Sequence, residues 1–89
     1  MKIKIHADAP SYAVSSIHRI KSALCESCFY ENLSYRWMYD RFGNIDFFID
    51  KASKDDLKAV IKNAAEALET KDFDDDSLKY DAARAELEA

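Results

Sequence analysis

The chain has 89 residues, 48% hydrophobic, 12% aromatic and 34% charged, with a net charge of −4. That describes one small globular domain, and a single glycine and a single proline exclude collagen-like, linker-like and low-complexity chains. No apolar run reaches the roughly 18 residues of a membrane span, no signal-peptide core opens the chain, and two cysteines make no disulfide framework.

The first strand alternates. Ile3, Ile5 and Ala7 point one way, and Lys2, Lys4 and His6 the other. Asp8, Ala9 and Pro10 stop it, and Pro10 suits the first turn of a helix. The spacing predicts a helix from about Pro10 to about Cys25, fraying by Cys28. Its stripe is Ala13, Ile17, Ile20 and Leu24, with Val14 beside it.

A hairpin follows. Leu33, Tyr35, Trp37 and Tyr39 alternate with Ser34, Arg36, Met38 and Asp40, and Ile45, Phe47 and Ile49 alternate with Asp46, Phe48 and Asp50. Gly43 suits a left-handed position in a three-residue turn, Arg41-Phe42-Gly43. That turn pairs Tyr39 with Ile45, Trp37 with Phe47 and Tyr35 with Ile49. A slip of one residue would mix apolar and polar faces, so the pattern specifies the register.

Ser53 and Asp56 approximate a capping box ahead of a second helix, Ser53 to Thr70, with the stripe Leu57, Val60, Ile61, Ala64 and Leu68. Beyond a connector at residues 71–74, the alanine-rich stretch from Ser77 to about Leu87 is predicted as a short third helix. The expected fold is therefore α+β, in the order β-α-β-β-α-α. A three-stranded sheet carries helices on one face, residues 1–70 form the domain, and 71–89 form an acidic connector and short helix. The open sheet face would show Lys2, Lys4, His6, Ser34, Arg36, Met38, Asp46 and Phe48.

Chemical motifs are sparse. Cys25 and Cys28 form a C-x-x-C, but only His6 and His18 remain to complete a zinc site. His18 and Cys25 stand about 10.5 Å apart along a continuous helix. A redox pair belongs at a helix N-terminus, where the dipole lowers the thiol pKa; this pair sits at a helix end. A redox or metal module is the reading this motif leaves open. The aspartates at 72, 74, 75 and 76 do not fit a calcium loop, which needs Gly at position six and Glu at twelve; as helix caps they explain only one or two of the four. No Gly-rich phosphate loop or nucleophile elbow occurs, and the expectation is no enzyme and no cofactor. The register turns Tyr35, Trp37 and Tyr39 to the core, so only Phe48 and Met38 remain outward as an apolar pair.

Charge is distributed unevenly. Residues 66–89 hold nine acids against three bases, a net of −6, and residues 1–65 carry +2. Lys54, Lys58 and Lys62 repeat along one face of the second helix before Glu66 and Glu69. One explanation is a solvated face. The other is a negative surface aimed at a basic groove, since duplex DNA shows one charge per about 1.7 Å of axis.

The order β-α-β-β-α resembles the DinI family of small RecA regulators. Met1-Lys2-Ile3-Lys4-Ile5 looks like its first strand, Leu33-Ser34-Tyr35-Arg36 like its second, and Ala52-Ser53-Lys54-Asp55-Asp56 like the entry to its final helix. The similarity covers residues 1–70 as pattern. It implies an acidic final helix that competes with single-stranded DNA for RecA. Here the second helix starts basic, and residues 71–89 are additional. In size and acidity the chain also resembles phage anti-CRISPR inhibitors, a likeness of type.

The expected function is a cytoplasmic, non-enzymatic inhibitor or regulator. It would bind a protein partner through that partner's basic nucleic-acid-binding surface, with no direct nucleic acid and no membrane, as a monomer or weak homodimer. Candidate contact residues are Glu66, Glu69, Asp72, Asp74, Asp75 and Asp76 on the acidic region, and Arg36, Met38 and Phe48 on the open sheet face. An ordinary dimerising domain using that open face is the further alternative.

Overall fold

A computed structural model describes residues 1–8 and 13–88. The element order is β1 (Lys2–Ala7), α1 (Ala13–Tyr30), β2 (Tyr35–Tyr39), β3 (Ile45–Ile49), α2 (Lys54–Ala67), β4 (Ser77–Tyr80) and β5 (Ala83–Glu88). The class is α+β. The sheet has five strands, in the order β2-β3-β1-β5-β4, and every neighbouring pair is antiparallel.

The hairpin register follows the sequence pattern. Tyr35 faces Ile49, Trp37 faces Phe47 and Tyr39 faces Ile45. The backbone of Asp40 donates to the Asn44 carbonyl at 2.9 Å, and Gly43 sits at φ +82 in the turn between them. The Asp40 carboxylate accepts from the backbone N–H groups of Phe42 and Asn44, which holds the turn from inside.

Two helix ends close in the same way. Leu33 N–H donates to the Cys28 carbonyl and Asn32 N–H to that of Phe29, with Asn32 left-handed at φ 57. Thr70 donates to Ala65 and Glu69 to Glu66, with Glu69 left-handed at φ 57. Both are Schellman closures. The first carries α1 on to Tyr30, beyond the predicted end at Cys25. The predicted start at Pro10 lies outside the described residues, and Val14, beside the predicted stripe, is exposed. The Ser53–Asp56 capping box forms with both of its bonds, and Leu57, Val60, Ile61 and Ala64 are buried as expected.

The third helix is a correction. Ser77 to Leu87 is a β-hairpin, with a two-residue turn at Asp81-Ala82 and Asp81 left-handed at φ 53. Alanine favours helix, but the segment also alternates. Leu78 and Tyr80, then Ala83, Ala85 and Leu87, share the core side. Tertiary pairing decides between the two patterns. A three-stranded sheet would leave β1 with an open edge; β5 closes it over six residue pairs, Lys2↔Glu88 to Ala7↔Ala83. The sheet is thus five-stranded, with β1 at its centre. Ser16, buried on α1, donates to the Asp81 carboxylate at 3.1 Å and pins the hairpin turn to the helix layer.

The core joins Ile3, Ile5, Phe47, Ile49, Leu78 and Ala85 from the sheet to Ile17, Ile20, Leu24, Leu57 and Ile61 from the helices. α1 lies over β1, β3 and β5, and α2 packs on α1 and reaches β4. β2 lies beyond this cover. Among the described residues, no helix is long and apolar enough to cross a membrane.

Candidate functional site

The open face of the sheet is mostly neutralised. Lys2 meets Asp46 at 3.5 Å and Glu88 at 3.2 Å, and Lys4 reaches Asp40 and Asp46. Across β1, His6 faces Glu86, Arg84 bridges Glu86 and Asp8, and Lys79 also pairs with Asp8. Lys4 is held above its ordinary pKa chiefly by its hydrogen bond to Asp40. The same bond, with those of Phe42 and Asn44 behind it, holds Asp40 below its own.

The predicted apolar patch lies at the β2 side of this face. Arg36 sits over the Phe48 ring, 4.6 Å from its centroid, so Phe48 is half-buried, and Met38 is exposed. A shallow cavity of ≈ 260 Å³ opens beside them between Ser34, Tyr35, Arg36 and Phe48. Phe48 and Met38 are outward, as the register requires.

The other side of β2 departs from expectation. Tyr35, Trp37 and Tyr39 do turn toward the helix side, but Tyr35 is 41% and Tyr39 51% exposed, because α1 covers them along one side only. The expected core face is a half-open aromatic row. α1 meets it along one side in three steps. His18 bonds Tyr39, Lys21 lies 4.6 Å from the Trp37 ring centroid, and the Cys25 thiol adjoins the Tyr35 phenol. Nearby, Arg41 sits over Phe42, the most exposed aromatic of the turn. Sequence reasoning missed this row because alternation reports which face a side chain takes, not how far the covering helix extends.

The acidic candidates lie at the opposite edge. Glu66 and Glu69 end α2, and Asp72, Asp74, Asp75 and Asp76 form the connector into β4; all six are exposed. With no third helix, the aspartates are not its caps. Asp74 instead organises the entry to β4. Its Oδ1 accepts from Asp76 N–H at 3.1 Å and from Ser77 Oγ at 2.9 Å, which lowers its pKa. Asp76 is raised, first by its contact with Asp74. Among the described residues, Lys58 at 3.5 Å from Asp75 is the one cation paired to this group. Glu86 and Glu88, which belong to the same acidic stretch of sequence, are instead spent on the sheet-face ion pairs.

Cys28 is fully buried and pushed up to about 12 by that burial, with Cys25 adding to it. Cys25 is raised by burial and partly offset by its Tyr35 neighbour. Both thiols are free. Among the described residues, no group of three or more His, Cys, Asp or Glu is arranged to hold a metal ion. Comparison with family models, curated proteins and solved structures gave no match to this chain.

Proposed function

We propose that this protein is a non-enzymatic inhibitor or regulator that places its acidic edge in the basic nucleic-acid-binding groove of a protein partner. The observation that carries the reading is a separation of charge. Acids on the sheet face are paired with Lys2, Lys4, Lys79 and Arg84, whereas among the six at the end of α2 and in the connector only Asp75 has an ion-pair partner, Lys58, among the described residues. Negative charge is thus concentrated at one edge, where it can steer a basic partner. The raised pKa of Asp76 reflects how closely these charges are set.

A RecA-type filament, implied by the family resemblance, is one partner of this kind; a nucleic-acid-guided defence complex is another. The test is affinity capture from a bacterial lysate with and without nuclease. Capture of a nucleic-acid-binding protein that strengthens when nucleic acid is digested is the expected result. A partner that is lost on digestion, or one with no basic surface, defeats the reading.

A further inference from the structure

The two edges of the sheet are finished differently. At β4 the connector folds back as a cover. Phe73 bridges to Leu78, Lys79 N–H donates to the Asp72 carbonyl at 2.8 Å, and Asp74 N–H donates to the Ser77 carbonyl at 3.0 Å. At β2 no segment of the described chain lies alongside.

The outward backbone groups of β2 can be identified. Asp40 bonds Asn44 and Asp50 N–H donates to the Ser34 carbonyl, so the hydrogen-bonded pairs of this hairpin fall on even-numbered β2 residues. The N–H and C=O groups of Tyr35, Trp37 and Tyr39 therefore point away from the sheet. Edges of this kind are usually shielded by a bulge, a proline or charged side chains; β2 has no bulge and no proline, and one charge, Arg36.

We propose that the β2 edge takes an extended, carboxylate-bearing segment of another protein as a sixth antiparallel strand. The charge around β2 selects the occupant. Lys21 stands over the aromatic row, Arg36 over the opposite face and Arg41 at the turn, and among the described residues none of the three has a carboxylate partner. A strand with alternating acids carries them all on one face, so it would meet either Lys21 on the helix side or Arg36 on the open face, according to its register. A second copy fits less well, because β2 paired with itself brings the same cations together. Single-stranded nucleic acid would need free ring faces. Here Tyr35 is stacked on Phe47, with 9° between planes and 5.5 Å between centroids, and the Trp37 face carries Lys21.

This inference uses the edge opposite the acidic connector, with β4, which the connector covers, about 19 Å away across four strand spacings, and it stands or falls separately from the proposed function. The probe is a capped peptide of about six residues alternating glutamate and valine, added to the full-length ¹⁵N-labelled protein. Amide exchange of Tyr35, Trp37 and Tyr39 is expected to slow by about tenfold or more, with Arg36 and Met38 little changed because they already bond β3. A matched peptide alternating lysine and valine is expected to protect far less, and Lys21→Glu with Arg36→Glu, at a half-buried and an exposed position, to reverse that preference. No protection at millimolar peptide, or equal protection by the lysine peptide, overturns the proposal. So does the same protection produced by an oligothymidine, or by raising the protein concentration alone.

Discussion

The Tyr39 hydroxyl and Nε2 of His18 lie 2.9 Å apart, and their rings meet edge-on at 5.7 Å between centroids. This contact is one of three between α1 and β2, and it ties the turn end of the strand to the helix. Tyr39→Phe keeps the ring and removes the bond. Because the site is exposed, the expected loss is about 0.5 kcal/mol, at the low end for a hydrogen bond, read from urea unfolding. A loss above about 2 kcal/mol would show that β2 depends on this one contact far more than its pairing to β3 implies.

The thiols provide a second prediction. Cys28 is expected to resist iodoacetamide at pH 8 in the folded protein and to react once unfolded, with Cys25 intermediate. A thiol whose folded pKa is raised contributes stability that is complete below its unfolded pKa and is lost as pH rises through the folded one. Stability is therefore expected to fall from about pH 9 toward 12, and less steeply in Cys28→Ala. Rapid labelling of native Cys28 would show that the helix end opens.

Lys4 on β1 joins Asp46 on β3 and Asp40 in the hairpin turn, and its removal is a third test. The folded pKa of Asp40 is lowered, so its contribution is present above the ordinary carboxylate value of 3.8 and is lost as pH falls through the depressed value. The folded pKa of Lys4 is raised above 10.5, so its contribution is present below that value and is lost at higher pH. Lys4→Met is expected to flatten both limbs of a stability-against-pH curve. An unchanged acid limb would assign it to other carboxylates.

Much of this arrangement could be read in the residues. The alternation of Ile45, Phe47 and Ile49, the lone Gly43 and the Ser53–Asp56 pair each state a local rule that nothing distant contradicts, and each holds. Residues 77–87 state two rules at once. Alanine content favours helix, alternation favours strand, and the choice depends on the open edge of β1, which is more than 70 residues away in sequence. The half-open aromatic row was hidden for a related reason. Tyr35, Trp37 and Tyr39 are on the helix side, but the position of β2 outside the helix layer follows from a strand order the local pattern does not carry. The dispersal of the acidic stretch has the same origin, since Glu86 and Glu88 reach the sheet face only because β5 lies beside β1.

Leu78 tests the hairpin directly. It is 1% exposed, faces Ala85 and joins the main core. Leu78→Ala is expected to cost about 2–5 kcal/mol in denaturant unfolding, the range for a large-to-small change in a packed core. A loosely docked, fraying helix at the same place would lose little. A small change would therefore count against the hairpin and against β1 as the central strand.

The acidic edge can be tested without disturbing the fold. In Asp74→Asn, Asp75→Asn and Asp76→Asn combined, the Oδ1 of residue 74 still accepts from the residue 76 backbone and from Ser77. Three charges disappear, including the Asp74–Asp76 pair whose side-chain hydrogen bond and then repulsion raise the pKa of Asp76, so the melting temperature is expected to hold or rise slightly. Association with the captured partner is expected to slow, and to lose much of its salt dependence, because steering acts over a Debye length of about 8 Å at physiological salt. Lys58 supplies the opposite sign. It partly masks Asp75 at 3.5 Å, so Lys58→Gln is expected to leave stability unchanged and to speed association with a basic surface. Association rates across a salt series, measured for both variants beside their melting curves, separate the possibilities. A folded triple variant that associates at the normal rate, or a Lys58→Gln variant that slows, would remove the acidic edge from the contact and leave β2 as the surface through which this protein acts.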